Sequence, residues 1–225
     1  MVDVSRVTVI GATGDEGFGL AQRWASAGAE VIIGSRDQGR ADEAAERLRA
    51  KVPGANVKGL VNPEAASACD VVVVTVPFAG QAAIYRSIAD AIPEDAVVVD
   101  CTVPLAAAVG GRASRTLGVW EGSAAQQAEG ILKGRASLCA AFHTLAAAQL
   151  DRLDEPLDGD VLVCGRRREA KAVVRALVEA IPGLRYVDAG PLENARIVEP
   201  LTALLIGINR RYKTTAGIRI TGLPD

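Results

Sequence analysis

An α/β fold built on a doubly wound parallel sheet is predicted by three features of this 225-residue chain. Apolar β-type runs alternate with helical patterns over short connections, as successive βαβ units require. The runs Val71-Val72-Val73-Val74-Thr75-Val76 and Val97-Val98-Val99 show no polar alternation, which marks central strands covered on both faces. A glycine-rich turn joins the first strand to the first helix, a place where an open parallel sheet binds its ligand.

The first strand runs from Arg6 to Gly11 and feeds Gly11-Ala12-Thr13-Gly14-Asp15-Glu16-Gly17 into a helix over 15–27. Absent side chains at Gly11, Gly14 and Gly17 permit a tight turn, close approach of backbone to a pyrophosphate, and close packing of helix on strand. The helix N-terminus adds positive charge for the phosphates. This is the fingerprint of a Rossmann-type unit. The second strand, over 30–34, ends in Ser35-Arg36, and Arg40 follows one turn into a helix over 40–51. The acid that holds the ribose 2′-hydroxyl in NAD-preferring units is missing, whereas a hydroxyl and two guanidinium groups suit a dianionic 2′-phosphate. The cofactor therefore reads as NADP(H). The competing readings are that Arg36 and Arg40 are solvated charges and that Asp37 itself meets a ribose.

A short strand over 56–60, strands over 70–76 and 96–100, and a helix over 80–91 between those two complete the first half. The ends of the central strands, Pro77-Phe78 and Cys101-Thr102-Val103-Pro104, are expected to line the ligand crevice. The stretch from Leu105 to Trp120 is rich in Ala, Gly and Arg, and reads as a flexible loop or segment boundary. It divides the chain into an NADP-binding Rossmann domain over 1–120 and a smaller C-terminal α/β domain over 121–225 that forms the other side of the cleft. The second part is expected to hold a helix over 123–132, a strand over 136–140, a helix from about 146, a strand over 160–164, a helix over 167–180 and a strand over 184–188. A final helix over 192–211, bent at Glu199-Pro200, closes it.

Composition narrows the function. With 49% hydrophobic residues the chain can bury a substantial core. Lys and Arg total 25 against 27 Asp and Glu, which argues against a nucleic-acid partner. The one basic run, Arg166-Arg167-Arg168, reads as a solvated helix end. The 4 cysteines, Cys69, Cys101, Cys139 and Cys164, lack metal-ligand spacing and sit mostly in or beside apolar runs, as reduced core thiols do. The first strand starts too early for a signal peptide, and no apolar stretch approaches the ~20 residues of a membrane span, so a cytoplasmic protein with no metal is expected. No Ser/His/Asp or Cys/His set is apparent, and His143 is the only histidine. Asp100 at the end of a central strand reads as a loop cap.

With these residues in view, the chain resembles the NADPH-dependent coenzyme F420 reductases, also called F420:NADP oxidoreductases. The similarity runs over nearly the whole length. It rests on the glycine loop through Ala21, on Gly34-Ser35-Arg36, and above all on Ala141-Phe142-His143-Thr144 and Asp188-Ala189-Gly190-Pro191-Leu192-Glu193-Asn194-Ala195-Arg196. The resemblance implies hydride transfer between NADP(H) and the deazaflavin ring of F420, in a homodimer. It implies that Thr13 and the backbone of Gly14, Asp15, Glu16 and Gly17 hold diphosphate, and that Ser35, Arg36 and Arg40 hold the 2′-phosphate. It further implies that Val76 and Pro77 border the nicotinamide ribose, and that Ala141, His143 and Leu145 face the ring stack. Val103 joins the apolar slot, and His143 positions a ring. An NADPH-dependent reductase of a small carbonyl or imine, and a non-catalytic NADP-sensing module, are the competing functions.

Overall fold

The computed structural model describes residues 5–223. Its strands are β1 (Arg6–Ile10), β2 (Glu30–Ser35), β3 (Val57–Val61), β4 (Val71–Val74), β5 (Val97–Asp100), β6 (Ser137–Ala140), β7 (Gly159–Gly165) and β8 (Leu184–Asp188). They form one 8-stranded sheet in the order β3-β2-β1-β4-β5-β6-β7-β8. Every pairing is parallel except that of β6 with β7, where Ala140 stands opposite Cys164. The sheet grows outward from β1 to β3 and then restarts on the other side of β1 with β4. A crevice opens at such a switch point, beyond the strand C-termini.

The period of two along each strand sends neighbouring side chains into opposite layers. Val73 and Val99 join a core with Phe18, Trp24, Leu48, Val174 and Leu177, under α1 (Asp15–Ser26), α2 (Gln38–Lys51) and α7 (Arg168–Glu179). Val72, Val74 and Val98 pack the other way, with Tyr85, Ile88, Ala125 and Ala128, under α3 (Asn62–Ser67), α4 (Phe78–Ile88) and α5 (Ala124–Leu132). The doubly wound α/β class expected from the valine runs is the fold observed. Trp24 ties one layer together: its indole N–H donates to the Leu177 carbonyl at 2.9 Å, and its ring meets Phe142 edge-on, with centroids 5.7 Å apart.

Several elements differ from expectation, each for a local reason. α3 was not foreseen, although Asn62-Pro63 is a helix-start signal, since proline in the first turn forfeits no hydrogen bond. The helix from about residue 146 is the short α6 (Ala147–Leu150). It is fastened to α1 by the Arg23 guanidinium, which donates to the carbonyls of Leu150, Glu155, Gln149 and Arg152. The single helix expected over 192–211 is split into a 3₁₀ turn (Leu192–Asn194), α8 (Ala195–Val198) and α9 (Leu201–Tyr212). Pro200 has no N–H for the ladder. The Glu199 carboxylate meanwhile accepts from the N–H groups of Ala124 and Ala125, at 2.9 and 3.0 Å, and so caps α5.

The stretch over 105–120 is more structured than a flexible loop. It contains a 3₁₀ turn (Ala106–Val109), a bridge between Leu105 and Thr116, and a Leu117 N–H bond to the Pro104 carbonyl at 2.7 Å. β6, beyond the expected boundary at 120/121, pairs with β5, so the sheet continues across it. Arg166 is exposed but engaged, bridging Glu129 of α5 and Glu193 of the 3₁₀ turn. All of the cysteines are free and buried. Among the described residues, no helix is long and apolar enough to cross a membrane.

Candidate active site

The crevice is a cavity of about 930 Å³ walled by the C-terminal ends of β1, β2, β4 and β5 on one side and by His143, Leu145 and Thr202 on the other. At the end of β1 the chain turns at Gly11, whose φ is +94°. A Cβ there would stand 2.8 Å from the Thr75 carbonyl oxygen, so only glycine lets the loop approach β4. Gly14 donates back to the Gly11 carbonyl at 2.9 Å, which aims the start of α1 across the cavity floor. No side chain caps that helix, leaving its first N–H groups to an anion. Thr13, Gly14, Asp15 and Glu16 line the cavity. Gly17 does not; a Cβ on it would fall 2.2 Å from Thr75 Oγ1, so its glycine seats α1 against β4.

The tip of β2 brings Ser35, Arg36 and Arg40 to the same wall. Asp37, the acid that could have met a ribose, is engaged as the N-cap of α2: its carboxylate accepts from Arg40 N–H at 2.9 Å. At the start of α3, beside Gly34 of β2, stands Asn62, a wall residue that sequence reading missed together with that helix. It is buried, and its Oδ1 has no protein partner among the described residues.

Val76, Pro77, Cys101, Thr102 and Val103 form the middle of the cavity. Behind them Asp100 is fully buried and serves as an anchor rather than as a reactive group. Its carboxylate accepts from Gln81 Nε2 at 3.0 Å, Tyr85 OH at 2.8 Å, Thr102 N–H at 3.1 Å and Thr102 Oγ1 at 3.2 Å. Burial pushes its pKa up to about 6, while those donors oppose the rise and hold it ionised at neutral pH.

On the far wall the chain leaves β6 through Phe142 at φ +66°, a left-handed conformation that is strained for an aromatic residue. The packing of Phe142 on Trp24 secures the turn, and it presents His143 to the cavity. Thr202 Oγ1 donates to the His143 carbonyl at 2.7 Å, clamping the turn from α9. His143 is 4% exposed, and among the described residues neither Nδ1 nor Nε2 has a protein partner. Burial lowers its pKa to about 4, so it is neutral and offers one N–H and one lone pair. Ala141, expected to face the cavity, does not. It is fully buried in the layer that holds Trp24 and Phe142, because alternation along β6 turns its methyl away.

The structure therefore gathers Gly11, Thr13, Gly14, Asp15, Glu16, Ser35, Arg36, Arg40, Val76, Pro77, Val103, His143 and Leu145 around one space. Thr102 lines it too, as expected for the end of β5, and Asn62, Thr75 and Thr202 join without having been singled out in the sequence. The donor set fits a phosphorylated dinucleotide: a glycine cradle that a Cβ would fill, an uncapped helix start, and paired guanidinium groups one strand away.

Comparison with known proteins agrees with this geometry. Residues 6–104 match the family model described as NADP oxidoreductase coenzyme F420-dependent. The F420-dependent NADP reductase of Methanothermobacter thermautotrophicus is 45% identical, over 100% of this chain and 98% of that protein. The F420-dependent NADP reductase of Methanocaldococcus jannaschii is 40% identical, over 97% and 99%. Among solved structures, a provisionally named F420-dependent NADP reductase from Arthrobacter sp. FB24 superposes with a TM-score of 0.81 at 24% identity, over 96% of this chain and 98% of that one. A 3-hydroxyisobutyrate dehydrogenase from Mycobacterium tuberculosis shares the fold at a TM-score of 0.66 and 13% identity, covering 93% and 62%. By full-length identity to these reductases, the chain belongs to the F420-dependent NADP reductase family.

Proposed function

We infer that this chain is an oxidoreductase that transfers a hydride directly between NADP(H) and the deazaflavin coenzyme F420. The observation that carries the reading is a single cavity whose one end presents Ser35, Arg36 and Arg40 while the other presents apolar side chains around a partnerless imidazole. The bound coenzymes supply the chemistry, a hydride exchange between their rings.

The chain's part is binding, alignment and exclusion of water. Ser35, Arg36 and Arg40 hold the 2′-phosphate, and the N–H groups from Gly14 to Glu16 hold the diphosphate. Val76, Pro77, Val103 and Leu145 line an apolar slot that would hold two flat rings face to face and keep water from the hydride. His143, neutral, gives or accepts a hydrogen bond at a ring substituent and needs to move no proton. Residues 1–120 carry NADP(H) in this reading, and residues 121–225 supply the opposite wall through His143, Leu145 and Thr202. The enzyme is a homodimer of the cytoplasm, a compartment that keeps its buried thiols reduced.

Single-turnover mixing of enzyme, F420 and NADPH carrying deuterium at the transferred C4 position tests this. The expected product is reduced F420 with the label at C5, read by mass spectrometry. Solvent hydrogen at that carbon, or NADPH binding with no F420 reduction, overturns the reading.

A further inference from the structure

Glu16 is the second residue of α1 and stands on the cavity wall. Its Oε1 is shielded from solvent and, among the described residues, has no hydrogen-bond partner, which is unusual for a carboxyl group set beside a phosphate site. Asp100, at the end of β5, is near enough for its charge to act on it, and the neighbouring Cys101 lines the same cavity. The two acids are unequally provided for. Asp100 accepts from Gln81, Tyr85 and Thr102, whereas no donor reaches Glu16 Oε1. Asp100 is fully buried and Glu16 is half-buried with its Oε1 shielded; two such neighbouring carboxyls do not both ionise readily, so the charge stays on the donor-rich Asp100 and the proton on Glu16.

The free N–H groups at the start of α1 favour an ionised Glu16 only until a diphosphate occupies them, and the remaining groups around the cavity do not favour it. Asp15, on the same turn, adds negative charge; Cys101 is a neutral thiol pushed well up by burial; His143 is neutral. The cationic side chains on the described wall, Arg36 just past β2 and Arg40 in the first turn of α2, are committed to the 2′-phosphate. Burial, and after it the charge of Asp100, raise the Glu16 pKa to about 8.

We propose that Glu16 serves as a neutral carboxylic acid in the dinucleotide site and donates a hydrogen bond to an acceptor on the bound NADP(H), so that dinucleotide binding requires its proton. The proposal rests on the NADP(H) reading above. An ionised Glu16 would bring a third negative centre beside Asp100 and the incoming diphosphate with no donor to offset it, and only the protonated form has an O–H to give.

NADPH binding to the intact protein, followed by the fluorescence of the nicotinamide between pH 7 and 9.5 without F420, tests the coupling. The 2′-phosphate is already doubly ionised across that range, its second pKa being about 6, so it adds no slope. For a group titrating at about 8, Kd should be about tenfold higher at pH 9 than at pH 7. In Glu16→Gln, which keeps shape and an N–H donor without titrating, the change should be less than about twofold. Calorimetry of the wild-type protein at pH 8.5, in two buffers of different ionisation enthalpy, should show uptake of more than about half a proton per NADPH bound. Parallel pH profiles for wild type and Glu16→Gln, or no proton uptake by the wild type, would overturn the proposal. Failure of the wild type to bind NADPH even at pH 7 would instead overturn the reading on which it rests.

Discussion

Arg36 and Arg40 share the tip of β2 with Ser35, and what distinguishes NADPH from NADH there is a single dianionic phosphate. Each guanidinium contact to that group is worth about 1.5 to 3 kcal/mol, which is a factor of roughly ten to more than a hundred in affinity. Arg36→Ala and Arg40→Ala are each expected to weaken NADPH binding by that factor and to leave NADH binding nearly unchanged, as a paired titration of the two nucleotides would reveal. Equal losses for both would remove the 2′-phosphate assignment. The residue types at this tip were legible because phosphate recognition needs charge and a fork of donors, whatever the surrounding fold. The role of Asp37 was not, since a carboxylate beside a helix start serves as an N-cap as readily as a ribose ligand. Nor could sequence separate Ala141 from His143 as wall residues; that depended on which face of β6 meets the cavity.

At the scale of elements, strands and long helices were readable because apolar periodicity is local. The junctions were not. Glu199 shows why: a residue that looks like part of a bent helix is committed to two N–H groups of α5, seventy-odd residues away in sequence. Removing it leaves buried donors unmet at about 1 to 3 kcal/mol each. Glu199→Ala is therefore expected to lower the thermal unfolding midpoint by several degrees, at about 2 to 4 °C per kcal/mol for a chain of this size. Glu199→Gln, which retains an acceptor, should lose less, as differential scanning calorimetry at pH 7 would register. A Glu199→Ala midpoint equal to wild type would mean that solvent replaces the cap. The same dependence on distant partners hid α3 and its wall residue Asn62, which appear only when the chain is seen crossing from β3 to β4.

For the whole molecule, the exposed apolar side chains of the last helices bear on assembly. Ile197 of α8 and Leu204 of α9 are 62% and 58% exposed, so complete burial of the final helix within one chain is excluded. Leu204 and Ile208 stand one turn apart along α9, the spacing of a stripe that packs on a partner, while Leu201 packs on this chain's own core. A two-fold homodimer through this stripe is expected, with light scattering giving twice the chain mass at micromolar concentration. Leu204→Glu should shift it to monomer without loss of the folded circular dichroism spectrum; a wild type that is monomeric refutes the dimer, and an unchanged dimer in the variant places the interface elsewhere. By itself the sequence determined the fold class and the dinucleotide loop, because both follow from short-range patterns: apolar runs, glycines three apart, and a strand ending in Ser35-Arg36. Only the tertiary structure decided that His143 has no protein partner, that Asp100 is held as an anion while Glu16 is left without a donor, and that Thr202 clamps the far wall. Those properties depend on which distant segments are packed together and on how much water the packing removes, and neither quantity is carried by any local stretch of chain.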